Sequence, residues 1–467
     1  MKSTTLLLFT VLLFLSIERI TSRNEEEREG SNIRFRNDDA TTVVASRKLG
    51  IGGITQPPST LVPIDPGVSA ACNGNGNKYS ISEREVLSFY GNVPACNCFD
   101  CYSGENCQIK GDINECEVDA GNSQLDITKS VLPFEPQMSF SNQYRMKYQS
   151  FREMNNSTEI KDTVFRSIKD LHRAANNVKF DDHQLLIGLG AHQLIQAAMY
   201  ALSPNRTITT NFYCAPPYWG KFPKIVNAYD PANVFVGDYE KAMEVMSRDE
   251  DIIDLITSPS NPGNTLAGEQ QLLGLPKEKQ IWDLVYYWPS SYANKSAIVP
   301  LDENIMIFSL SKLAGYAGHR FGWAWVKDPN VVERMNDYLS VSTQSYPASE
   351  LIFGTRVIQT ILGQDDFFGK VQDGLMERCK AIEKIFKDGG DKFQIESPCG
   401  NMYVLVKCTE LDTNESCQEI FFEPIKLKVT DGKSTGIGDN YVRIAIGYEQ
   451  SRINLILEKL KLLPRSE

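Results

Sequence analysis

The sequence lacks an excess of positive charge, a histidine-rich metal motif and, beyond its first residues, any long apolar run. Its 467 residues contain 48 Lys and Arg against 59 Asp and Glu, so the net charge of −11 disfavours binding to nucleic acid or to an anionic membrane surface. Four histidines are present, and none has H-E-x-x-H spacing, which disfavours a catalytic metal centre: His172, His183, His192 and His319. No other uncharged run reaches about 18 residues, so no membrane anchor is expected.

The first 22 residues have the order of a secretory signal peptide. Lys2 precedes an apolar run from Leu6 to Ile17, and small residues follow near Ser22. We therefore expect the chain to enter the secretory pathway, with a vacuolar or extracellular destination. Residues 23–71 are polar and then rich in turn-forming residues, which indicates a flexible leader.

A dense group of cysteines follows the leader and predicts a disulfide-stapled module over residues 72–116. The six cysteines are Cys72, Cys96, Cys98, Cys101, Cys107 and Cys116. Their spacing alone leaves the pairing open, because six cysteines can pair in many ways. Five Asn-X-Ser/Thr sequons are candidate glycosylation sites in an exported chain: Asn155, Asn156, Asn205, Asn294 and Asn414.

The rest of the chain alternates helical patterns with short apolar runs. Apolar residues spaced three and four apart predict helices over residues 160–177, 192–201, 330–340, 351–362 and 368–386. Short apolar runs predict buried strands at 185–189, 207–211, 252–256, 281–287, 305–310 and 322–326. This alternation favours an α/β fold with a mostly parallel, doubly wound sheet. A smaller unit follows, with strands at 402–406 and 441–446 and a closing helix at 451–462.

The segment from Ser309 to Trp323, SLSKLAGYAGHRFGW, is the most informative one. A lysine at the end of an apolar strand, with hydroxyls before it and a glycine-rich turn and an arginine after it, suits a cofactor that carries an aldehyde and a phosphate. Lys312 can form a Schiff base with pyridoxal 5′-phosphate, while Ser309, Ser311 and Arg320 can bind its phosphate. The alternative is a surface lysine before a turn.

Other strand ends supply further groups that such a cofactor needs. Gly190, Ala191 and His192 lie between a predicted strand and a predicted helix, where backbone N–H groups can bind a phosphate. Asp283 can keep the pyridine nitrogen protonated, which makes the ring an electron sink. Tyr286 and Asn261 can reach the phenolic oxygen of the ring.

Taken in this order, the motifs resemble the alliinase and tryptophan-aminotransferase-related family of plant fold-type I pyridoxal-phosphate enzymes. The resemblance runs from about Cys72 to the C-terminus and depends on the turn at 258–262, the run at 283–289 and the loop at 311–323. It implies an EGF-like module at 72–116, an N-terminal arm and part of a small domain at 117–165, a large cofactor-binding domain at 166–345 and a small C-terminal domain at 346–467. It also implies a homodimer and a small-molecule amino-acid substrate.

The resemblance also implies roles for single residues. Lys312 would be the Schiff-base lysine, with Asp283 at the pyridine nitrogen and Asn261 and Tyr286 at the phenolic oxygen. Tyr218 would stack on the pyridine face, Arg443 would bind the substrate α-carboxylate, and Tyr148 and Gly121 would lie on the substrate side. A core position for Tyr218 and an ion pair for Arg443 are the alternatives. The implied disulfides are Cys72–Cys96, Cys98–Cys107, Cys101–Cys116 and Cys408–Cys417, with no partner assigned to Cys214, Cys379 or Cys399.

Several positions depart from the family pattern. His192 stands where a small hydroxyl residue is usual, Tyr316 where His is usual and His319 where Ser is usual, and the stretch at 121–124 also differs. We expect a carbon–sulfur β-lyase of alliinase type that acts on S-alkyl-L-cysteine sulfoxides or related amino acids. An aromatic aminotransferase of the tryptophan–pyruvate type is the close alternative. A secreted binding protein, with an EGF-like module and a non-catalytic fold, is the third.

Overall fold

The computed structural model describes most of the chain beyond the leader. The described residues are 72–73, 75–78, 96–122, 124–132, 158–203, 208–230, 232–292, 294–411 and 415–464. The predicted signal peptide and leader lie outside them, as do Tyr148 and the sequons at Asn155, Asn156, Asn205 and Asn414. Among the described residues, no helix is both long enough and apolar enough to cross a membrane.

A seven-stranded sheet forms the centre of the described structure. In spatial order its strands are Gln184–Leu189, Phe321–Val326, Ile305–Ser309, Gln280–Asp283, Ile252–Thr257, Asn211–Tyr213 and Val234–Val236. The strand Phe321–Val326 runs antiparallel to both of its neighbours, and the other pairings are parallel. The strands Ile252–Thr257, Ile305–Ser309 and Phe321–Val326 are buried along their whole length, as expected for a sheet that helices cover. This result confirms the predicted mostly parallel α/β sheet.

Helices pack on this sheet and on one another. The α-helices are Thr158–Ala175, Gly190–Leu202, Phe222–Tyr229, Tyr239–Ser247, Leu310–Leu313, Pro329–Thr343, Ala348–Leu362, Phe367–Gly389, Cys417–Phe422 and Gln450–Leu460. Gly190–Leu202 packs against Pro329–Thr343, and Thr158–Ala175 packs against Ala348–Leu362. The helix Gly190–Leu202 begins directly after the edge strand Gln184–Leu189, so its N-terminus lies at the carboxyl end of that strand.

A second, antiparallel sheet lies in the C-terminal part of the chain. Its strands, in spatial order, are Phe393–Ile395, Tyr403–Cys408, Tyr441–Ala445 and Thr430–Asp431. The short strand Val118–Asp119 pairs in parallel with Leu427–Lys428. The backbone N–H of Ala445 also donates to the carbonyl oxygen of Ala120 at 2.8 Å. The segment that follows the cysteine-rich module is therefore attached to the smaller sheet.

Five disulfides join ten of the eleven cysteines. Four of them are the pairs that the resemblance implies: Cys72–Cys96, Cys98–Cys107, Cys101–Cys116 and Cys408–Cys417. The fifth pair, Cys379–Cys399, joins the helix Phe367–Gly389 to the loop before the strand Tyr403–Cys408. The sequence assigns no partner to either cysteine of this pair. Cys214 is a buried free thiol.

A buried polar network fixes a loop at the carboxyl end of a central strand. Trp323 Nε1 donates to His172 Nε2 at 2.8 Å, so His172 carries its proton on Nδ1 and donates it to Asn177 Oδ1 at 2.8 Å. Burial lowers the pKa of His172 to about 4, which keeps the ring neutral. Asn177 Nδ2 donates to the carbonyl oxygen of Tyr287 at 2.7 Å. The network thereby holds the loop between Asp283 and Tyr287.

Some elements differ from those predicted. The predicted strand at 281–287 ends at Asp283, and the apolar residues that follow form a buried turn, because hydrophobicity there reflects burial and not extended backbone. The strand predicted at 207–211 lies at Asn211–Tyr213. The strand Val234–Val236 and the helices Phe222–Tyr229 and Tyr239–Ser247 have no counterpart among the predicted elements.

Candidate active site

A cavity of about 300 Å³ opens at the carboxyl ends of the central strands. Thr257, Asp283 and Ser309 end three adjacent parallel strands, which is where open α/β sheets bind ligands. Nine residues that the sequence predicts for the site line this cavity: Ala191, His192, Asn261, Asp283, Tyr286, Ser309, Ser311, Lys312 and Arg320. The fold therefore gathers into one cavity residues that are far apart in the chain.

Lys312 lies in a short helix that begins where the strand Ile305–Ser309 ends. The Ser309 hydroxyl caps this helix by accepting a hydrogen bond from the Ser311 N–H at 3.1 Å. The strand is wholly buried, so Lys312 stands at the first turn that leaves the core. The Ser309 hydroxyl also contacts the carbonyl oxygen of Phe321 at 3.2 Å. It also lies 2.9 Å from the Ser311 hydroxyl, to which it can donate, so Ser309 is engaged within the protein while the Ser311 hydroxyl keeps its own proton to donate.

Two tyrosines and an asparagine form a chain of hydrogen bonds that ends at the Lys312 amine. Lys312 Nζ donates to the Tyr403 hydroxyl at 3.4 Å, and this hydroxyl lies 3.1 Å from that of Tyr286. Asn261 Nδ2 donates to the Tyr286 hydroxyl at 2.9 Å. Burial raises the pKa of Tyr286 well above its ordinary value, so its phenol keeps its proton and can donate it. The sequence does not predict Tyr403 as a site residue, because it follows Lys312 by 91 positions and lies on the smaller sheet.

Arg443 links this group to the smaller sheet. Its Nη1 donates to Asn261 Oδ1 at 3.1 Å, and its Nη2 donates to the carbonyl oxygen of Gly121 at 2.7 Å and to Thr430 Oγ1 at 3.0 Å. Its Cζ lies 4.3 Å from the centre of the Tyr403 ring, a cation–π contact. Its Nε is buried and has no hydrogen-bond partner among the described residues. Arg443 thus contacts Asn261 of the cavity without lining the cavity itself, and its role toward a carboxylate stays a prediction.

Asp283 supplies a buried acid to the cavity. The side chain is largely buried, and its Oδ1 accepts a hydrogen bond from the Val285 N–H at 3.4 Å. Burial raises the pKa of Asp283 to about 7, while the positive charge of Lys312 acts in the opposite direction. A further cation beside the carboxylate would favour its ionised form. This environment suits a partner such as a protonated pyridine nitrogen.

Three basic side chains also line the cavity: His192, Lys221 and Arg320. Arg320 Nη1 donates to the carbonyl oxygen of Ala317 at 2.8 Å. Gly190 has a φ of 74°, and a Cβ on it would lie 2.5 Å from Arg320 Nη2. A residue without a side chain is thus required for the guanidinium to lie at this helix N-terminus. Basic groups around a helix N-terminus suit a phosphate.

His192 is the half-buried member of this basic group. Burial lowers its pKa, and the charges of Arg320 and Lys221 lower it further. A neutral imidazole follows, and it can serve a phosphate as a hydrogen-bond donor without adding a charge. The sequence does not predict Lys221, because its role depends on how the segment Phe222–Tyr229 and the loop before it fold.

The adjacent aromatic residues Tyr218 and Trp219 have different surroundings, and Trp219 is the one that lines the cavity. Trp219 lines the cavity, with its ring edge-on to His192 at a centroid distance of 5.6 Å. Tyr218 does not line it, and its ring packs against Phe235 at 4.9 Å and close to Gly436. The stacking role of Tyr218 stays a prediction, and Trp219 is an aromatic residue of the cavity that the sequence does not predict.

Two further departures from the family pattern lie in the loop after Lys312. Tyr316 and His319 both pack on Phe353, at centroid distances of 5.0 and 3.6 Å, and neither lines the cavity. His319 Nδ1 also lies 3.1 Å from a carboxylate oxygen of Glu350. These two side chains therefore join the loop after Lys312 to the helix Ala348–Leu362.

The residues of the cavity fit pyridoxal phosphate. The Lys312 amine matches the aldehyde, and the buried Asp283 acid matches the pyridine nitrogen. The Tyr286 hydroxyl matches the phenolic oxygen, and the basic groups at the helix N-terminus match the phosphate. The Thr257 hydroxyl also lines the cavity and is buried without a hydrogen-bond partner among the described residues. Such an orphaned group indicates that a ligand completes its hydrogen bonding.

The chain is similar to known proteins in sequence and in fold. The family model described as Allinase matches residues 135–463. Tryptophan aminotransferase-related protein 3 of Arabidopsis thaliana is 29% identical over 422 residues, which cover 84% of this chain and 87% of that protein. An alliin lyase of Allium cepa is 26% identical over 433 residues, which cover 84% of each chain.

Solved structures share the fold. The multiple substrate aminotransferase of Thermococcus profundus has a TM-score of 0.57 at 13% identity, covering 82% of this chain and 93% of that one. An aminotransferase of Staphylococcus aureus has a TM-score of 0.55 at 16% identity, covering 74% and 93%. These likenesses confirm the predicted aminotransferase fold, and the family model spans well over half of the chain. The chain therefore belongs to the alliinase family of pyridoxal-phosphate-dependent enzymes.

Proposed function

We propose that the chain is a carbon–sulfur β-lyase that acts on S-alkyl-L-cysteine sulfoxides or related amino acids. The observation that carries this proposal is one cavity lined by the Lys312 amine, the Asp283 carboxyl and the Asn261–Tyr286 hydrogen bond, with Arg443 bound to Asn261. Bound pyridoxal phosphate supplies an aldehyde that accepts an amine and a ring that takes up the electron pair left at Cα.

Lys312 has two tasks in this proposal. Its amine would hold the cofactor covalently through the aldehyde, and once a substrate amine takes that place, the freed Lys312 amine would accept the proton from Cα. The contact of Lys312 Nζ with the Tyr403 hydroxyl supports the second task, because it gives the freed amine a partner within the cavity. This hydrogen bond holds the Lys312 amine in one position, so that the base is correctly placed at each turnover.

Three other groups bind and orient. Arg443 holds the substrate α-carboxylate through the guanidinium that hydrogen bonds to Asn261 beside the cavity. Asp283 holds a proton at the pyridine nitrogen, and the Tyr286 hydroxyl donates to the phenolic oxygen. Ser311, His192, Lys221 and Arg320 bind the phosphate together with the helix N-terminus at Ala191.

The substrate decides between elimination and transamination. In a cysteine sulfoxide the Cβ–S bond can break, and the sulfenate leaves with the bonding electrons. The remaining aminoacrylate then takes up water and yields pyruvate and ammonia. Tryptophan has no such leaving group, so its amino group would pass to the cofactor in exchange for an oxygen, and a keto acid would leave. Pyruvate would then take up the amino group in the second half of the reaction. The 29% identity to a tryptophan aminotransferase-related protein, against 26% for an alliin lyase, keeps aromatic aminotransferase as the second candidate.

Product analysis separates the two reactions. The purified enzyme is incubated with an S-alkyl-L-cysteine sulfoxide, and separately with an aromatic amino acid plus pyruvate. We expect pyruvate and ammonia in the first incubation, and Lys312→Ala, the matched control, yields neither. An aromatic keto acid in the second incubation, with no pyruvate formed in the first, would replace the lyase by the aminotransferase. A colourless protein that does not respond to added pyridoxal phosphate would favour the binding protein.

We also propose a homodimer that passes through the secretory pathway to the vacuole or the cell exterior. Five disulfides support an oxidising compartment. Asn294 is exposed, and its side chain accepts a hydrogen bond from the Ser296 N–H at 3.1 Å, so a glycan on it would extend into solvent. Sedimentation of the secreted protein, with peptide mass spectrometry before and after glycosidase treatment, tests these proposals. A monomer, or an unmodified Asn294, would contradict the respective one.

A further inference from the structure

Tyr403 occupies a central position among the groups of the cavity although it lies on a different sheet. Its side chain is fully buried on the strand Tyr403–Cys408. Its hydroxyl lies 3.4 Å from Lys312 Nζ and 3.1 Å from the Tyr286 hydroxyl, and its ring faces Arg443 at 4.3 Å. One side chain thus contacts the proposed covalent anchor, the proposed phenol-binding residue and the proposed carboxylate-binding residue.

The hydrogen bonds around Tyr286 have a defined direction. Because Asn261 Oδ1 accepts from Arg443 Nη1, the Asn261 amide must direct its Nδ2 toward Tyr286 and donate to the Tyr286 hydroxyl. A tyrosine hydroxyl has one proton to donate and two lone pairs to accept with. In the proposed function the Tyr286 proton points to the phenolic oxygen of the cofactor, so its second lone pair is left for Tyr403.

The same count of one proton and two lone pairs applies to the Tyr403 hydroxyl. In the proposed function it donates its proton to Tyr286, because the Tyr286 proton is directed to the cofactor, and it accepts a hydrogen bond from the Lys312 amine. Neighbouring hydrogen bonds polarise one another in a buried site, so a phenol that accepts a hydrogen bond becomes a stronger donor itself. Burial raises the pKa of Tyr286 well above its ordinary value, so Tyr286 retains the proton that it donates.

We propose that Tyr403 is a positioning residue: its hydroxyl strengthens the hydrogen bond that Tyr286 donates to the cofactor and holds the Lys312 amine when that amine is free. This inference rests on the proposed function, because it takes Tyr286 to face the phenolic oxygen. A hydrogen bond donated to that oxygen favours its ionised form. Removal of the Tyr403 hydroxyl therefore raises the pH at which the bound cofactor changes its protonation state.

The test is a pH titration of the visible absorption of the cofactor-loaded, full-length enzyme. Tyr403→Phe removes the hydroxyl and keeps the ring that faces Arg443. We expect it to raise the titration midpoint by about 0.3 pH unit, and Tyr286→Phe to raise it by about one unit or more. Because Tyr403 acts through Tyr286, the double variant has the same midpoint as Tyr286→Phe alone.

Tyr213→Phe is the matched control. Tyr213 is also fully buried, and its hydroxyl donates to the carbonyl oxygen of Gln271 at 2.7 Å, outside the cavity. This control leaves the midpoint unchanged. A second measurement is steady-state kinetics, in which Tyr403→Phe lowers kcat about tenfold with KM within about twofold, because the loosened group is the base and not the carboxylate-binding Arg443.

The outcomes separate the inference from the proposed function. A wild-type band that titrates, with an unshifted Tyr403→Phe, overturns the inference alone. A double variant whose shift is the sum of the two single shifts also overturns it, because Tyr403 would then act independently of Tyr286. A wild-type protein without a cofactor band overturns the proposed function. An unchanged kcat in Tyr403→Phe would contradict the second part of the inference, that the Tyr403 hydroxyl holds the free Lys312 amine.

Discussion

The buried carboxyl of Asp283 makes the stability of the cofactor-free protein depend on pH. Burial raises its pKa from an ordinary value of 3.8 to about 7. Between these values the folded chain holds a proton that the unfolded chain releases. The stability that this proton contributes is therefore complete below the unfolded pKa and is lost as the pH rises through about 7.

The expected size follows from this pKa difference. One pKa unit corresponds to about 1.4 kcal/mol, and integration of the proton linkage from pH 5 to pH 8 gives a loss of roughly 2.5 kcal/mol from this residue alone. Asp283→Asn removes the titrating group. Between pH 5 and pH 8 the free energy of unfolding of this variant should therefore fall by roughly 2.5 kcal/mol less than that of the wild type. Glu449, whose pKa burial raises to about 7, remains in both proteins and cancels in the comparison.

Urea unfolding of the cofactor-free proteins at a series of pH values measures this difference. Asp254→Asn is the matched control: its carboxyl is also buried, its pKa is raised to about 7, and it does not line the cavity. We expect both variants to flatten the pH dependence, and Asp283→Asn alone to weaken the binding of pyridoxal phosphate. Parallel curves for wild type and Asp283→Asn would refute the reasoning, because the carboxyl would then titrate normally in the folded chain.

Three further changes have defined outcomes. Arg443→Lys replaces a planar guanidinium by a point charge, so KM for the amino acid should rise about 10- to 100-fold with a smaller effect on kcat, and steady-state kinetics would contradict this role if KM were unchanged. Gly190→Ala introduces a Cβ 2.5 Å from Arg320 Nη2 at a φ of 74°, so a fluorescence titration should give a dissociation constant for pyridoxal phosphate at least about tenfold higher. Unchanged affinity would contradict a phosphate site that depends on the position of Arg320 at this helix N-terminus. Replacing both Cys379 and Cys399 by Ser opens a bridge between residues 20 positions apart and should lower the free energy of unfolding by about 3 kcal/mol; unaltered stability in urea would contradict a structural role.

The sequence predicts the parts of the site that are continuous in the chain. The strand before Lys312, the hydroxyls beside it and the glycine that begins the helix Gly190–Leu202 are local signals, because each depends on how a few successive residues fold. The large sheet is predictable for the same reason, since its strands are short apolar runs between helical patterns. Even there, the sequence predicts a strand that continues past Asp283, because the buried turn that follows Asp283 is as apolar as the strand itself.

The contacts between distant segments could not be predicted. Tyr403 meets Lys312 only when the smaller sheet packs against the end of the larger one, and no spacing in the chain signals this. The same holds for the disulfide Cys379–Cys399, which lies outside any cysteine-dense module. Adjacent aromatic residues in a loop are interchangeable in the sequence, so only the fold distinguishes Trp219, which lines the cavity, from Tyr218, which does not.

The most direct test of the account is to locate the lysine that binds the cofactor. The protein is loaded with pyridoxal phosphate, reduced with borohydride and digested, and the peptides are analysed by mass spectrometry. The account predicts a phosphopyridoxyl group on Lys312, and its loss in Lys312→Ala. Modification of a different lysine, or of none, would contradict the central claim that the Lys312 amine is the covalent anchor.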